Sequence, residues 1–201
     1  AGMGLNFGMT LGAMAGQIGL IFAADWQIWG IPGMVLAVII SIPISVLLGL
    51  FCGKMLNMAK GREMITSYII AFFMNGLYQL VVLYMMGPVI PIKHASIKLP
   101  RGYGIRNTVS LLNMRQALDN LWAIRIGGVK IPVLTLLITG LLCLFIIWFR
   151  KTKLGQDMRA VGQDMDVARD AGIKVERTRI IAIVLSTVCA GIGMVIYLQN
   201  M

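Results

Sequence analysis

The sequence predicts an all-α membrane protein, a polytopic transmembrane bundle of about five helical spans with a short additional helix on the cytoplasmic side. Hydrophobic residues make up 58% of the 201 residues, and charged residues only 13%, about half the fraction usual in soluble domains. Several uninterrupted apolar segments reach the roughly 20 residues that a helix needs to cross the hydrocarbon core. A long charged segment, residues 150–179, lies between the last two of them.

Five apolar segments are separated by polar connections, and they cover residues 4–24, 32–52, 64–86, 131–149 and 180–198. Their length and continuity favour helices over the short alternating strands of a membrane barrel. We expect one transmembrane domain over residues 1–201. Because the sequence begins inside an apolar segment and ends directly after one, we also expect it to be a piece of a longer protein.

The first apolar segment is rich in small residues. Glycines recur at every fourth position, namely Gly4, Gly8, Gly12 and Gly16. This spacing places them on one helix face and favours close packing against a neighbouring helix over a ligand role. The polar residues Asn6 and Thr10 lie in the same segment, and polar side chains within a span usually face protein or a watery cavity.

The third segment carries a polar stripe. Tyr68, Asn75 and Gln79 are separated by seven and four residues, so they share one helix face with Phe72. Aromatic and amide side chains in one line suit the lining of a path for a small polar solute. The alternative is that Asn75 and Gln79 form hydrogen bonds that hold neighbouring helices together.

The distribution of basic residues predicts the orientation. With five alternating spans, residues 53–63 and 150–179 lie on one side and contain eleven Lys and Arg, whereas residues 88–130 lie on the other and contain seven. The excess predicts a cytoplasmic location for the first pair and an extracytoplasmic location for residues 88–130. Within the latter connection, a short amphipathic helix at the membrane surface is compatible with the spacing of Leu111, Leu112, Met114, Leu118, Leu121 and Trp122.

The charged segment 150–179 contains eight Lys and Arg and five Asp and Glu, so it cannot lie in hydrocarbon. Its centre predicts a short helix that begins at Asp164 or Asp166 as the N-cap and ends at Gly172 in the left-handed conformation. A small apolar face of this helix is formed by Val167, Ala168 and Ala171. We expect another protein to bind this helix from the cytoplasm.

The residues needed for catalysis or for metal binding are scarce. His94 is the single histidine, the three cysteines have no metal-ligand or disulfide spacing, and no Walker A motif is present. The basic excess of +10 falls in the connections, where it meets lipid headgroups or cytoplasm, so nucleic acid is not expected as a partner. No Asp, Glu, Lys, Arg or His lies in the core of a span, which argues against an ion-coupled carrier. We therefore expect no catalytic residue, metal or cofactor, and a separate source of energy.

Residues 152–194 resemble the cytoplasmic coupling loop and following helix of ABC importer permeases, in the family that serves ribose, galactose and related simple sugars, nucleosides and branched-chain amino acids. The positions that carry the resemblance are Thr152, Gly155, Ala160, Val161, Gly162, Ala168, Arg169, Ala171, Gly172, Ile173, Ala190 and Gly191. Residues 2–12 are similar, more loosely, to the glycine-rich start of a core helix in this family. Sugar permeases tend to have Asp and Ser where Gly4 and Asn6 stand, and Asn6, Phe7 and Gly8 approach the Asn-Ile-Gly of nucleoside permeases.

The resemblance implies a permease subunit in the plasma membrane of a prokaryote, without ATPase activity of its own. It implies as partners a second permease subunit in a homo- or heterodimer, cytoplasmic ABC ATPase subunits, an extracytoplasmic solute-binding protein and membrane lipids. The residues expected to couple to the ATPase are Gly162, Asp164, Asp166, Ala168, Arg169, Ala171 and Gly172. Those expected along the translocation path are Asn6, Thr10, Tyr68, Asn75 and Gln79.

The expected solute is a simple sugar of the ribose or galactose type, and the alternatives within the family are a nucleoside or a branched-chain amino acid. Two alternatives belong to other classes. One is a secondary carrier or channel that works alone, which would not co-purify with an ATPase. The other is a scaffold subunit that transports nothing, for which no solute would stimulate ATP hydrolysis in the reconstituted complex.

Overall fold

The apolar segments form helices, as their length and continuity predict. The computed structural model describes residues 7–59, 61–93, 99, 104–105, 123–126 and 129–198. Its helices are α1 (Met9–Asp25), α2 (Gly30–Met58), α3 (Glu63–Leu80, extended by a π-helical turn over Val81–Met85), α4 (Val133–Lys151), α5 (Lys153–Gln163), α6 (Met165–Asp170) and α7 (Val175–Leu198). Four of these, α2, α3 with its extension, α4 and α7, are long and apolar enough to cross a membrane, and α1 is a shorter apolar helix of 17 residues. The polytopic helical bundle is confirmed.

Small residues let α1, α2 and α7 pack backbone against backbone. A Cβ atom added to Gly12 would overlap the carbonyl oxygen of Thr187 on α7, and one added to Gly16 would lie 2.6 Å from the carbonyl oxygen of Gly191. On α2, a Cβ atom added to Gly49 would lie 2.5 Å from the Thr187 hydroxyl oxygen. The predicted packing role of the glycine stripe is confirmed at Gly12 and Gly16.

Around this triad of α1, α2 and α7 the remaining spans are attached more loosely. α3 makes far fewer contacts with α1 and α2 than these two make with each other. It contributes Ile70 to a buried cluster with Leu11, Cys52 and Ile183. No residue of α4 is buried. Much of the surface of α3 and α4 is therefore open to lipid or to another protein.

At one end of the bundle, the chain after α3 folds back on the end of α1. The buried carboxylate of Asp25 accepts a hydrogen bond of 2.8 Å from the backbone N–H of Lys93. Ala24, Met86 and Ile105 form a small buried cluster with Ile92. Residues 90–93 and 105 of the connection thus lie at the end of α1.

A short hairpin precedes α4. Strand β1 (Ala123–Ile126) pairs antiparallel with β2 (Val129–Pro132), with Ala123 opposite Pro132 and Ile126 opposite Val129. This hairpin was not predicted from the sequence. The amphipathic helix expected from Leu111 to Trp122 lies outside the described residues. Because β2 includes Ile131 and Pro132, the fourth span begins at Val133, two residues later than predicted.

At the opposite end, the connection after α2 meets the start of α7. The Asn57 side-chain amide donates a hydrogen bond of 3.0 Å to the Glu176 carbonyl oxygen, and the Arg179 guanidinium pairs with the Glu63 carboxylate at 2.7 Å. These contacts place residues 53–63 and 150–179 at the same end, as the number of spans requires. The assignment of this end to the cytoplasm stays a prediction.

Candidate functional site

The charged segment forms two helices, α5 and α6, where the sequence predicted one. A sharp turn joins α5 to α4. The Thr152 hydroxyl donates a hydrogen bond of 2.6 Å to the Phe149 carbonyl oxygen and accepts one of 3.3 Å from the Gly155 N–H. A Cβ atom on Gly155 would overlap the Phe149 carbonyl oxygen. The Thr-x-x-Gly sequence therefore has a local physical reason, since it permits the tight change of direction at the membrane boundary.

The short helix α6 is sharply delimited at both ends. The Asp164 carboxylate accepts hydrogen bonds from the N–H groups of Asp166 (2.9 Å) and Val167 (3.1 Å), so Asp164, not Asp166, is the N-cap. At the C-terminal end of α6, Gly172 has a φ of +82°. The Ile173 N–H donates a hydrogen bond of 3.0 Å to the Ala168 carbonyl oxygen, which ends the helix. Both the predicted cap and the left-handed end are confirmed.

The inner side of α6 packs on α5 and α7. Ala168 is 3% exposed and forms a small apolar cluster with Val161 of α5 and Val175 of α7. Val167, by contrast, is 64% exposed, and Ala171 is exposed as well. The prediction of one apolar face shared by Val167, Ala168 and Ala171 is wrong, because adjacent helical residues point about 100° apart. Ala168 holds α6 in place.

The outer side of α6 is free of packing against the described bundle. The exposed residues here, with the end of α5, are Gly162, Gln163, Asp164, Asp166, Val167, Arg169, Asp170, Ala171 and Gly172. Asp166 and Arg169 lie 3.6 Å apart in an exposed ion pair. The surface thus presents one large apolar side chain, Val167, among charged and small residues. The Asp164 cap and the left-handed Gly172 fix the two ends of the helix. Such a rigid projection suits a groove in another protein.

The polar stripe of α3 is exposed. Tyr68 is 49% exposed, and Phe72, Asn75 and Gln79 are exposed along the same face. Neither amide forms a hydrogen bond with any residue that the structure describes. The helix-to-helix bonding considered for Asn75 and Gln79 therefore has no counterpart within the described bundle. The two side chains are uncovered within the described structure.

The stripe meets the start of α1 at Tyr68. The rings of Phe7 and Tyr68 are 5.4 Å apart in an edge-to-face arrangement, and those of Tyr68 and Phe72 are 4.6 Å apart. The partly buried Thr10 hydroxyl donates a hydrogen bond of 2.8 Å to the Phe7 carbonyl oxygen. Thr10 and Tyr68 thus both contact Phe7, and Gln79 lies about 16 Å beyond Tyr68 along the axis of α3. Asn6 lies outside the described residues.

One feature of this end was missed from the sequence. Arg179 was assigned to the solvated charged segment, but its side chain is fully buried and paired with Glu63. A basic residue directly before an apolar segment usually extends to the interface, so its pattern gave no signal of burial. Within the described part of the chain, no group of three or more His, Cys, Asp or Glu could hold a metal ion.

Four long apolar helices, a shorter fifth and a short capped helix at one end of the bundle define a multi-pass membrane protein. Residues 2–201 match the model of the family described as "Branched-chain amino acid transport system / permease component". The chain belongs to this family of ABC-transporter permeases.

Two curated relatives are similar over part of the chain. The xylose transport system permease protein XylH of Haemophilus influenzae is 36% identical over 66 residues, 33% of this chain and 17% of that protein. The nucleoside ABC transporter permease protein NupB of Lactococcus lactis subsp. cremoris is 36% identical over 70 residues, 35% of this chain and 18% of that protein. The chain thus covers less than a fifth of either relative. No solved structure matches.

Proposed function

We propose that the chain forms part of the membrane-spanning subunit of an ATP-driven importer for a small polar solute, in the plasma membrane of a prokaryote. The observation that carries this proposal is the rigid α6 projection in a member of the ABC permease family. The bundle needs an external source of energy, and a helix with two fixed ends can transmit force without bending.

The outer side of α6 is the proposed contact with a cytoplasmic ATPase subunit. Val167 is the apolar anchor, while Asp166 and Arg169 set the orientation of the contact through charge. Gly162, Ala171 and Gly172 let the partner approach closely, and Asp164 and Ala168 keep the helix in shape. Closure of the ATPase pair would move α6 as a lever and open the path to one side at a time.

The stripe on α3 is the proposed wall of the translocation path, together with Thr10 and Asn6. Exposed amides in a span must face protein or water and not lipid, so we place a second permease subunit opposite α3 and the path between the two. Sugar hydroxyls can form hydrogen bonds with Asn75 and Gln79, and a sugar ring can lie against Tyr68. An extracytoplasmic binding protein would deliver the solute.

A simple sugar is our first candidate for the solute, and a nucleoside is the second. The two relatives are named for xylose and for nucleosides, so the ribose or galactose type expected from the sequence is not favoured over other sugars. The aromatic pair Tyr68 and Phe72 could also stack on a nucleobase. A branched-chain amino acid, which the family description names, has fewer groups to pair with the two amides.

The function is tested by purifying the full-length protein with its native partners and placing the complex in lipid vesicles. We expect an ATPase to co-purify, and labelled D-xylose or uridine to enter the vesicles only when ATP is supplied. Uptake without ATP that collapses when an ion gradient is dissipated would instead identify a secondary carrier. A complex whose ATP hydrolysis no solute stimulates would identify a scaffold.

Replacing Asn75 or Gln79 with leucine is expected to lower uptake about tenfold, the effect of losing one hydrogen bond of about 1.4 kcal/mol to the moving solute. The amount of protein in the membrane should stay unchanged, because neither amide bonds to the described bundle. Initial uptake rates are measured against the amount of assembled complex.

The matched control is Phe73→Leu, at an exposed position of α3 that lies about 100° or more around the helix from the stripe. It should leave uptake unchanged. If the Asn75 and Gln79 variants fail to accumulate in the membrane, the amides hold helices together and the path assignment is wrong.

A further inference from the structure

Arg179 is the largest fully buried side chain of the described structure. It lies in the first turns of α7, and its guanidinium has 0% exposure, whereas the Glu63 side chain beside it has 11%. Nη2 donates to the Glu63 carboxylate at 2.7 Å, and Nη1 donates to the sulfur of Met165 at 3.7 Å. The Nε atom has no partner among the described residues.

These three residues belong to three different elements. Met165 is the first residue of α6, Glu63 is the first residue of α3, and Arg179 belongs to α7. Within the described residues, the Arg179–Glu63 bond is the only side-chain hydrogen bond that joins α3 to another element. The helix with the polar stripe is thus tied at its end to the helix that adjoins α6.

The tie resists separation because both charges would lose their partner inside the protein. Breaking a buried ion pair on one side leaves an uncompensated charge, which is far more costly than replacing both members by neutral groups. As a whole, α3 packs more loosely on the triad than the three triad helices pack on one another. A movement of α6 and of the start of α7 therefore pulls the end of α3 with it.

We propose that Arg179 is a positioning residue that transmits the movement of α6 to α3 through Met165 and Glu63. This inference rests on the proposed function, because it assigns the route by which ATPase docking would open the path beside the stripe. It connects the loosely attached α3 to the start of α7 and, through Met165, to α6.

The test measures solute transported per ATP hydrolysed, using the full-length complex in lipid vesicles with labelled D-xylose and uridine. The decisive variant is the double substitution Glu63→Gln with Arg179→Met, which removes both charges and keeps an acceptor for the Gly61 N–H, now bonded to Glu63 at 3.1 Å. We expect normal assembly and continued ATP hydrolysis. The transport ratio should fall about tenfold, within the 5- to 150-fold range typical of coupling between sites.

Two single variants separate transmission from folding. Arg179→Lys keeps the positive charge opposite Glu63. It should therefore retain much of the wild-type ratio of solute transported per ATP hydrolysed, unlike the double variant. Arg177→Gln removes a positive charge two residues away, at an exposed position of α7, and should leave the ratio unchanged.

Each outcome bears on the proposal. An unchanged ratio in the double variant would overturn the transmission role while leaving the proposed function intact. Failure of the double variant to assemble would show that the pair only supports the fold, which also overturns the proposal. A wild-type complex without ATP-dependent uptake would overturn the proposed function and this inference together.

Discussion

Replacing Gly12 with alanine is expected to remove most of the folded protein from the membrane. The added Cβ atom would overlap the Thr187 carbonyl oxygen and lie 3.0 Å from the Cβ of Ala190. The obstacle is backbone in the middle of a helix, so it cannot rotate away as a side chain can. α1 and α7 must move apart along their contact, which costs roughly 1–3 kcal/mol or more in a tightly packed core.

The thermal midpoint of the purified complex and the amount of protein in the membrane measure this effect. The matched control is Gly193→Ala on α7, where an added Cβ atom meets nothing within 4 Å. Since glycine in a helix is less favourable than alanine by roughly 0.5–1 kcal/mol, this control should be neutral or slightly stabilising. Equal behaviour of the two variants would show that α1 and α7 do not pack as described.

Replacing Gly172 with valine is expected to uncouple ATP hydrolysis from uptake. Gly172 has a φ of +82°, which a β-branched residue adopts only with strain of roughly 1–2 kcal/mol. Space is not the reason, because a Cβ atom would meet nothing within 4 Å. The end of α6 must therefore change shape at the docking surface. We expect uptake to fall about tenfold while hydrolysis continues, in keeping with a change of about 1.4 kcal/mol.

The control for Gly172 is asparagine, which tolerates the left-handed conformation more readily than other residues with a side chain. Gly172→Asn should retain most of the uptake in the same vesicle assay. If valine and asparagine impair uptake equally, the site requires a residue without a side chain because of partner contact, and backbone strain is not the cause. Unaltered uptake in the valine variant would contradict the lever role of α6.

Features that depend on residues close together in the sequence were predicted well. The Asp164 cap and the Gly172 end follow from bonds that span two to five residues, so they need no tertiary context. The strand Ala123–Ile126 was not predicted. Four residues are too few for periodicity to decide, and the pairing with Val129–Pro132 decides instead.

The candidate site was predicted only in part. The shared face of Tyr68, Asn75 and Gln79 follows from helical spacing, yet whether that face is buried or open depends on where α3 packs. Likewise, the helical segment around Ala168 was predicted, but its inward direction was not, because the cluster with Val161 and Val175 joins residues from three helices.

The sequence by itself determined that this chain is a helical membrane bundle with a capped helix between its last two spans. Hydrophobic length and local hydrogen bonding are properties of consecutive residues. Only the tertiary structure decided that Arg179 is buried against Glu63, 116 positions away, and that α3 leaves its amides uncovered. Burial depends on which helices meet, and the free energy of a charge or an amide depends on that burial.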